Sequence, residues 1–156
     1  MKGNDKIIAK LNDLLADELT AINQYMVHSE MCDNWGYARL HEVTEKRAID
    51  EMKHAEKLIA RILYLEGLPI VSELKSIHIG ANVEKQLDND WEAEAGAVKS
   101  YNDGIKLCVQ FADNGTRELL EAILKDEEAH IDLLEAQKDQ VAQMGIKNYL
   151  AEQIRG

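Results

Sequence analysis

Asp50–Lys57 reads DEMKHAEK and Asp126–Ile131 reads DEEAHI. Both stretches consist largely of strong helix formers, and each sets a glutamate three residues before a histidine: Glu51 with His54, and Glu127 with His130. Residues three apart on an α-helix lie about 60° apart around the axis on neighbouring turns, so each pair can converge on one point. Both pairs fall on stripes that the surrounding periodicity makes apolar. Glu51 lies between Ala48 and Ala55, while Glu127 and His130 interrupt Leu120, Ile123 and Leu134. Charge on a core stripe is costly unless something neutralises it, so these two stretches decide both the architecture and the chemistry.

Working outward, the 156 residues suffice for one domain with a buried core, and residues 1–156 are read as a single unit. One proline, few aromatics and an abundance of Ala, Leu, Glu and Lys predict an all-α fold. A first helix is expected over Asp5–Asn34, with a seam at Ile8, Leu11, Leu15, Ile22 and Cys32, ending in the turn NWG. A second covers Tyr37–Glu66 until GLP stops it, and a loop of about 15 residues runs to near Gly80. A third spans Asn82–Phe111, with Leu87, Trp91, Val98, Ile105 and Ala112 on its stripe. The fourth starts at Thr116 as N-cap and runs to Met144; Gly145 then separates a short amphipathic segment, Ile146–Gln153. Short turns within the first and last pairs imply two antiparallel hairpins. A crossover of about 15 extended residues can span the roughly 42 Å of such a helix, so the hairpins lie side by side as a four-helix bundle.

The first and third helices carry matching intrusions: Leu15, Glu18, Ile22, Tyr25 on one and Trp91, Glu94, Val98, Tyr101 on the other. Glu18 to Glu51 is 51 − 18 = 33 residues, and Glu94 to Glu127 is 127 − 94 = 33. An offset of 94 − 18 = 76 maps Glu18 to Glu94, Glu51 to Glu127, His54 to His130, Tyr25 to Tyr101 and Cys32 to Cys108, so the hairpins are pseudo-equivalent. Four ionised glutamates inside a bundle must be paired, protonated or bound to cations. Two divalent metals would neutralise all four, and an oxygen-rich set with two imidazoles suits iron or manganese better than structural zinc. One Glu from each of two helices plus Glu-x-x-His from each of the other two is the donor pattern of dinuclear carboxylate bundles. A single ExxH is commonly solvated; two copies on core seams, each with an inward glutamate 33 residues upstream, point to metal.

The net charge of −11 argues against nucleic acid or an anionic membrane as partner. No window approaches the ~20 apolar residues of a bilayer span, and MKGNDKIIAK lacks a sustained apolar run, so a cytoplasmic location is the expectation. Cys32 and Cys108 form no CxxC pair and read as reduced, buried side chains. Tyr25 is either a core tyrosine or a hydrogen-bond partner and electron source for the metals. His28, His41 and His78 have no spaced carboxylate and read as surface residues or outer neighbours of the centre, and Trp35 and Trp91 as packing residues. Met52, one position after Glu51, points about 100° away from the metal face; on its own it is an apolar contact for a neighbouring helix or subunit.

From MKG through NWG, DEMKHA, LEGLP, DEEAHID and NYL, nearly the whole chain resembles bacterioferritins. The resemblance implies a ferritin-like four-helix bundle with a short C-terminal helix. It makes Glu18, Glu51, His54, Glu94, Glu127 and His130 a ferroxidase di-iron centre, with Glu51 and Glu127 bridging. It further implies oxidation of Fe(II) by dioxygen or hydrogen peroxide, and storage of ferric mineral in a hollow homo-oligomeric shell of 24 subunits. Met52 becomes an axial ligand of haem b, one from each of two subunits across a two-fold interface. A small ferredoxin-type reductase is the implied partner for iron release, and co-assembly with a second subunit type is compatible with the family. Some members place a histidine and an aspartate on the cavity wall as an accessory iron site; here Asp50 is present, but Lys46 stands at the histidine position, and a lysine is a poor Fe(II) ligand. Other readings are a rubrerythrin-like peroxidase, disfavoured by the missing CxxC pairs, and a manganese catalase, disfavoured by the short chain. A haem-binding or structural assembly without ferroxidase activity is the remaining one.

Overall fold

Asn4 starts the first helix: its side-chain oxygen accepts from the backbone N–H of Lys6 at 2.8 Å and Ile7 at 3.3 Å, satisfying donors that the helix itself cannot. The structure, a computed structural model, describes residues 1–155. Its helices are α1 (Asp5–Asn34), α2 (Ala38–Tyr64), α3 (Val83–Gln110), α4 (Asn114–Met144) and α5 (Ile146–Ala151). α1 packs along α2 and α3 along α4, while α1 also meets α3 and α2 touches α4, which is the expected pair of antiparallel hairpins.

Helix ends depart from expectation where left-handed residues or caps act. α2 closes two residues early because Glu66 takes φ +62°, letting Gly67 N–H bond back to the Ile62 carbonyl. Ala112 does the same after α3 at φ +54°, with Asp113 N–H on the Cys108 carbonyl, and it is an exposed terminator rather than a stripe residue. Asp113, not Thr116, caps α4: its carboxylate accepts from the Thr116 backbone N–H at 3.0 Å and from the Thr116 hydroxyl at 2.7 Å.

The crossover is stitched to one face of α1. Asn12 accepts from Ile70 N–H, Thr20 Oγ1 from Lys75 N–H, Gln24 Oε1 from His78 N–H, and His28 Nε2 from Gly80 N–H, at 2.8 to 3.0 Å. Positions 12, 20, 24 and 28 recur at helical spacing, so a loop without regular structure still has four of its backbone donors met. A side chain at Gly80 would bring a Cβ to 2.4 Å from the Gln86 backbone nitrogen. Glycine therefore lets the crossover close against the first turns of α3.

Two larger apolar clusters fill the bundle, with a small one of Ala21, Tyr25 and Ala48 beside them. One comprises Ile7, Leu11, Leu14, Leu15, Leu58, Ile62, Leu120 and Ile123, and the other Cys32, Leu40, Val83, Leu87, Leu134 and Tyr149. On α1 the buried seam runs through Ile7 and Leu14, with the expected Ile8 and Ile22 only partly covered at its flank. The inward polar residues lie between the clusters along all four helices.

Candidate metal centre

Glu18 from α1, Glu51 and His54 from α2, Glu94 from α3, and Glu127 and His130 from α4 are all buried and converge between the two apolar clusters. They divide into two overlapping sets of possible ligands, Glu18/Glu51/His54/Glu127 and Glu51/Glu94/Glu127/His130, within each of which the donor atoms lie inside 4.8 Å of one another. His54 Nδ1 is 3.0 Å from Glu127 Oε1, 3.4 Å from Glu51 Oε1 and 3.7 Å from Glu18 Oε2. His130 Nδ1 is 3.2 Å from both Glu51 Oε1 and Glu94 Oε1, and 3.9 Å from Glu127 Oε1. Glu51 and Glu127 therefore sit between the two imidazoles, while Glu18 and Glu94 each serve one side.

The outer contacts follow the same pseudo-symmetry. His54 Nε2–H donates to Asp126 at 2.8 Å and His130 Nε2–H to Asp50 at 3.0 Å, which turns each Nδ1 toward the carboxylates. Asp126 is Asp50 plus 76, a relation present in the quoted stretches although the sequence reading drew nothing from Asp126. Tyr25 donates to Glu94 Oε1 at 2.7 Å and Tyr101 to Glu18 Oε1 at 2.5 Å, so each phenol engages one oxygen and turns the other inward. Asp50 also bonds Lys46 at 3.3 Å, so this carboxylate is shared between the histidine and a lysine.

The donor set fits cations. Glu18 Oε2, Glu51 Oε1, Glu94 Oε2, both Glu127 oxygens and both histidine Nδ1 atoms are buried without a well-formed hydrogen bond. Such atoms are costly in a dry interior. Burial, reinforced by repulsion from neighbouring glutamates, raises the Glu51 and Glu127 carboxyls well above the ordinary range. Burial also acts against Glu94, but the adjacent His130 imidazole, the Glu127 carboxyl and the Arg47 charge outweigh it and hold its carboxyl low. Both imidazoles are pushed up despite their burial because carboxylates surround them. Without another cation, protons have to supply the balancing charge. Four hard oxygen donors and two imidazoles in two fused sets are suited to a pair of iron or manganese ions.

One end of this centre carries a polar network that the sequence reading missed. His28, read as a surface or outer residue, is fully buried: its Nδ1–H donates to Asp90 at 2.9 Å while its Nε2 accepts from Gly80. Asp90 also accepts from Gln24 at 2.8 Å and Arg47 at 2.7 Å, and the Arg47 guanidinium lies 4.3 Å from the centre of the Tyr25 ring. These residues come from three helices and the crossover, so no spacing within one helix connects them. Met52 is 45 % exposed and lies away from the carboxylates, as its position after Glu51 requires.

A four-helix bundle of two hairpins around such a centre defines a ferritin-like protein, and the ferritin-like domain model matches residues 8–144. The chain is 41 % identical over 149 residues to the bacterioferritin of Brucella melitensis, covering 96 % of this chain and 92 % of that one. It is 41 % identical over 152 residues to the bacterioferritin of Mycolicibacterium paratuberculosis and 40 % identical over 152 residues to bacterioferritin BfrA of Mycobacterium tuberculosis, covering 97 % of this chain and 96 % of the relative in each case. The chain belongs to the bacterioferritin family. Among the described residues, no helix is long and apolar enough to cross a membrane.

Proposed function

We propose that this chain is an iron-storage subunit with ferroxidase activity, using Glu18, Glu51, His54, Glu94, Glu127 and His130 to hold two Fe(II) ions as substrate. The observation that carries the reading is the pair of buried four-residue sets sharing Glu51 and Glu127. A shared pair of carboxylates keeps two ions adjacent, so two one-electron donors face one two-electron acceptor. The balance is two Fe(II) and two protons with hydrogen peroxide giving two Fe(III) and two waters, or with dioxygen giving two Fe(III) and hydrogen peroxide.

The protein's part is orientation and charge. Asp126 and Asp50 hold the two imidazoles by their Nε2–H groups, presenting Nδ1 to the ions. Tyr25 and Tyr101 fix Glu94 and Glu18 through one oxygen each. On binding, the ions compete with protons at Glu51 and Glu127, whose carboxyls burial raises. Ferric product then passes to mineral in the cavity of a 24-subunit shell. Met52, exposed with Ile49 one turn before it on α2, fits haem b shared with a second copy. A small ferredoxin-type reductase would deliver electrons through that haem for release.

An aerobic Fe(II) titration of the metal-free protein tests this reading through the rapid ferric absorbance. A break near two irons per chain, about the capacity of a dinuclear carboxylate bundle, supports it. Absence of any fast phase overturns the ferroxidase assignment.

A further inference from the structure

His41 sits near the start of α2, with its Nδ1 at 2.9 Å from the Ser29 carbonyl of α1. A carbonyl only accepts, so Nδ1 carries the hydrogen and the lone pair of the neutral ring falls on Nε2. That nitrogen faces Glu45 Oε2 at 3.5 Å, one turn further along α2. Glu30 reaches the same point from α1: one donor atom each from Glu30, His41 and Glu45 lies within 4.8 Å of the others. Both glutamates are exposed and His41 is half-buried. His41 precedes Glu51 by 51 − 41 = 10 residues, about 15 Å along the helix, so this group stands apart from the dinuclear centre and shares no residue with it.

Its geometry differs from that of a surface ion pair. A charge-assisted N–H···O bond spans roughly 2.7–2.9 Å, which the His41–Glu45 gap exceeds. Two donors of one tetrahedral ion, each about 2.0–2.1 Å from the metal, stand about 3.3–3.4 Å apart, close to the separation observed. The far nitrogen of the ring is held by a backbone carbonyl from outside the group, the outer support that metal-ligating imidazoles almost always have. Asp13, Asp17 and Asp113 are each ion-paired to a lysine or arginine, whereas among the described residues Glu30 and Glu45 have no such partner. The last turn of α1, just beyond Glu30, also has no basic residue, so a cation there meets the uncompensated negative pole of that helix.

We propose that Glu30, His41 and Glu45 bind one divalent transition metal, through a carboxylate oxygen of each glutamate and Nε2 of His41. Two oxygens and an imidazole suit zinc, and also cobalt, manganese or iron(II). Three protein donors leave a fourth position to water. Because Glu30 belongs to α1 and the other two donors to α2, the ion clips the two helices together beside the NWG turn.

The test is equilibrium dialysis of the metal-free assembled protein against buffered free Zn(II), with bound zinc counted per chain. Zinc at the dinuclear centre adds equally to every variant and cancels in the comparison. In His41→Gln and in Glu45→Gln, one ion per chain should bind at least about tenfold more weakly than in wild type, since even an outer partner of a ligand is worth about 10–100-fold. Asp33→Asn removes a neighbouring charge on α1 without touching the donor set and should keep the wild-type curve. A wild-type curve that superimposes on that of either donor variant would overturn the site. Equal weakening in Asp33→Asn would also overturn it, because diffuse acidity rather than these three donors would then hold the zinc.

Discussion

Asp90 is buried where its pseudo-symmetric mate, 90 − 76 = 14, is Leu14, and its partners Arg47 and His28 stand opposite Ile123 and Gly104. One end of the metal centre is thus sealed by an ionic network and the other by aliphatic packing. Removing one member of a buried ion pair strands the other, at a cost of about 3–5 kcal/mol, so Asp90→Ala should lower stability by that amount in chemical denaturation. Adding Arg47→Ile, the residue used at the opposite end, removes the stranded cation and should recover part of the loss. Burial alone would raise the Asp90 carboxyl, but the Arg47 charge and the His28 hydrogen bond hold it below its ordinary 3.8. A depressed carboxyl stabilises above its unfolded-state pKa, and that contribution fades as pH falls from 3.8 through the lower folded value. Asp90→Asn should therefore flatten the acid limb of a stability-versus-pH curve; an unchanged slope would show that this carboxylate is not what acid titrates. The six centre residues were legible because glutamate and histidine recur at fixed intervals on apolar stripes. His28, Arg47 and Asp90 were not, because their contacts bridge helices and the second half does not repeat them.

Among the elements, helix existence and hairpin order were readable from periodicity and turn composition, whereas several ends depended on backbone conformation that sequence spacing does not encode. NWG advertises its left-handed residue through Gly36, at φ +84°. Glu66 and Ala112 adopt the same region with side chains, so the ends of α2 and α3 carry no such signal. Asp113 likewise took the cap role expected of Thr116, because either residue type can cap and only the bond from Thr116 N–H decides. The left-handed conformation costs a non-glycine residue roughly 1–2 kcal/mol, and Ala112 is exposed, so glycine there forfeits little packing. The greater freedom of glycine in the unfolded chain offsets about 0.5–1 kcal/mol of the gain. Ala112→Gly should accordingly stabilise by about 0.5–1 kcal/mol, visible as a higher melting temperature; a lower one would mean that Ala112 makes contacts that outweigh its backbone strain.

At the scale of the whole molecule, the inward and outward faces of the α1/α2 hairpin divide the chemistry. Glu51 faces the centre and Met52, the next residue, faces out with exposed Ile49 one turn before it on α2. Under the proposed function, Met52→Leu should abolish the visible absorption of bound haem while leaving the fast ferric phase intact; loss of both would make Met52 a structural residue rather than a ligand. The centre itself is arranged for cations at the expense of the metal-free fold. Glu127 is fully buried, both its oxygens lack hydrogen bonds, and burial and neighbouring carboxylates disfavour its charge. Glu127→Ala should eliminate rapid Fe(II) oxidation while sparing assembly. It should also leave the metal-free protein no less stable than wild type, because the cavity it opens is offset by relief of a buried, poorly partnered acid. Metal reverses the order: a ligand at about 100 times its dissociation constant stabilises by about 2.7 kcal/mol, available in full only to the chain that retains all its donors. Thermal unfolding of both proteins, with and without Co(II), gives four melting temperatures. The assignment requires a larger Co(II)-induced rise in wild type than in Glu127→Ala, and equal rises would remove Glu127 from the centre.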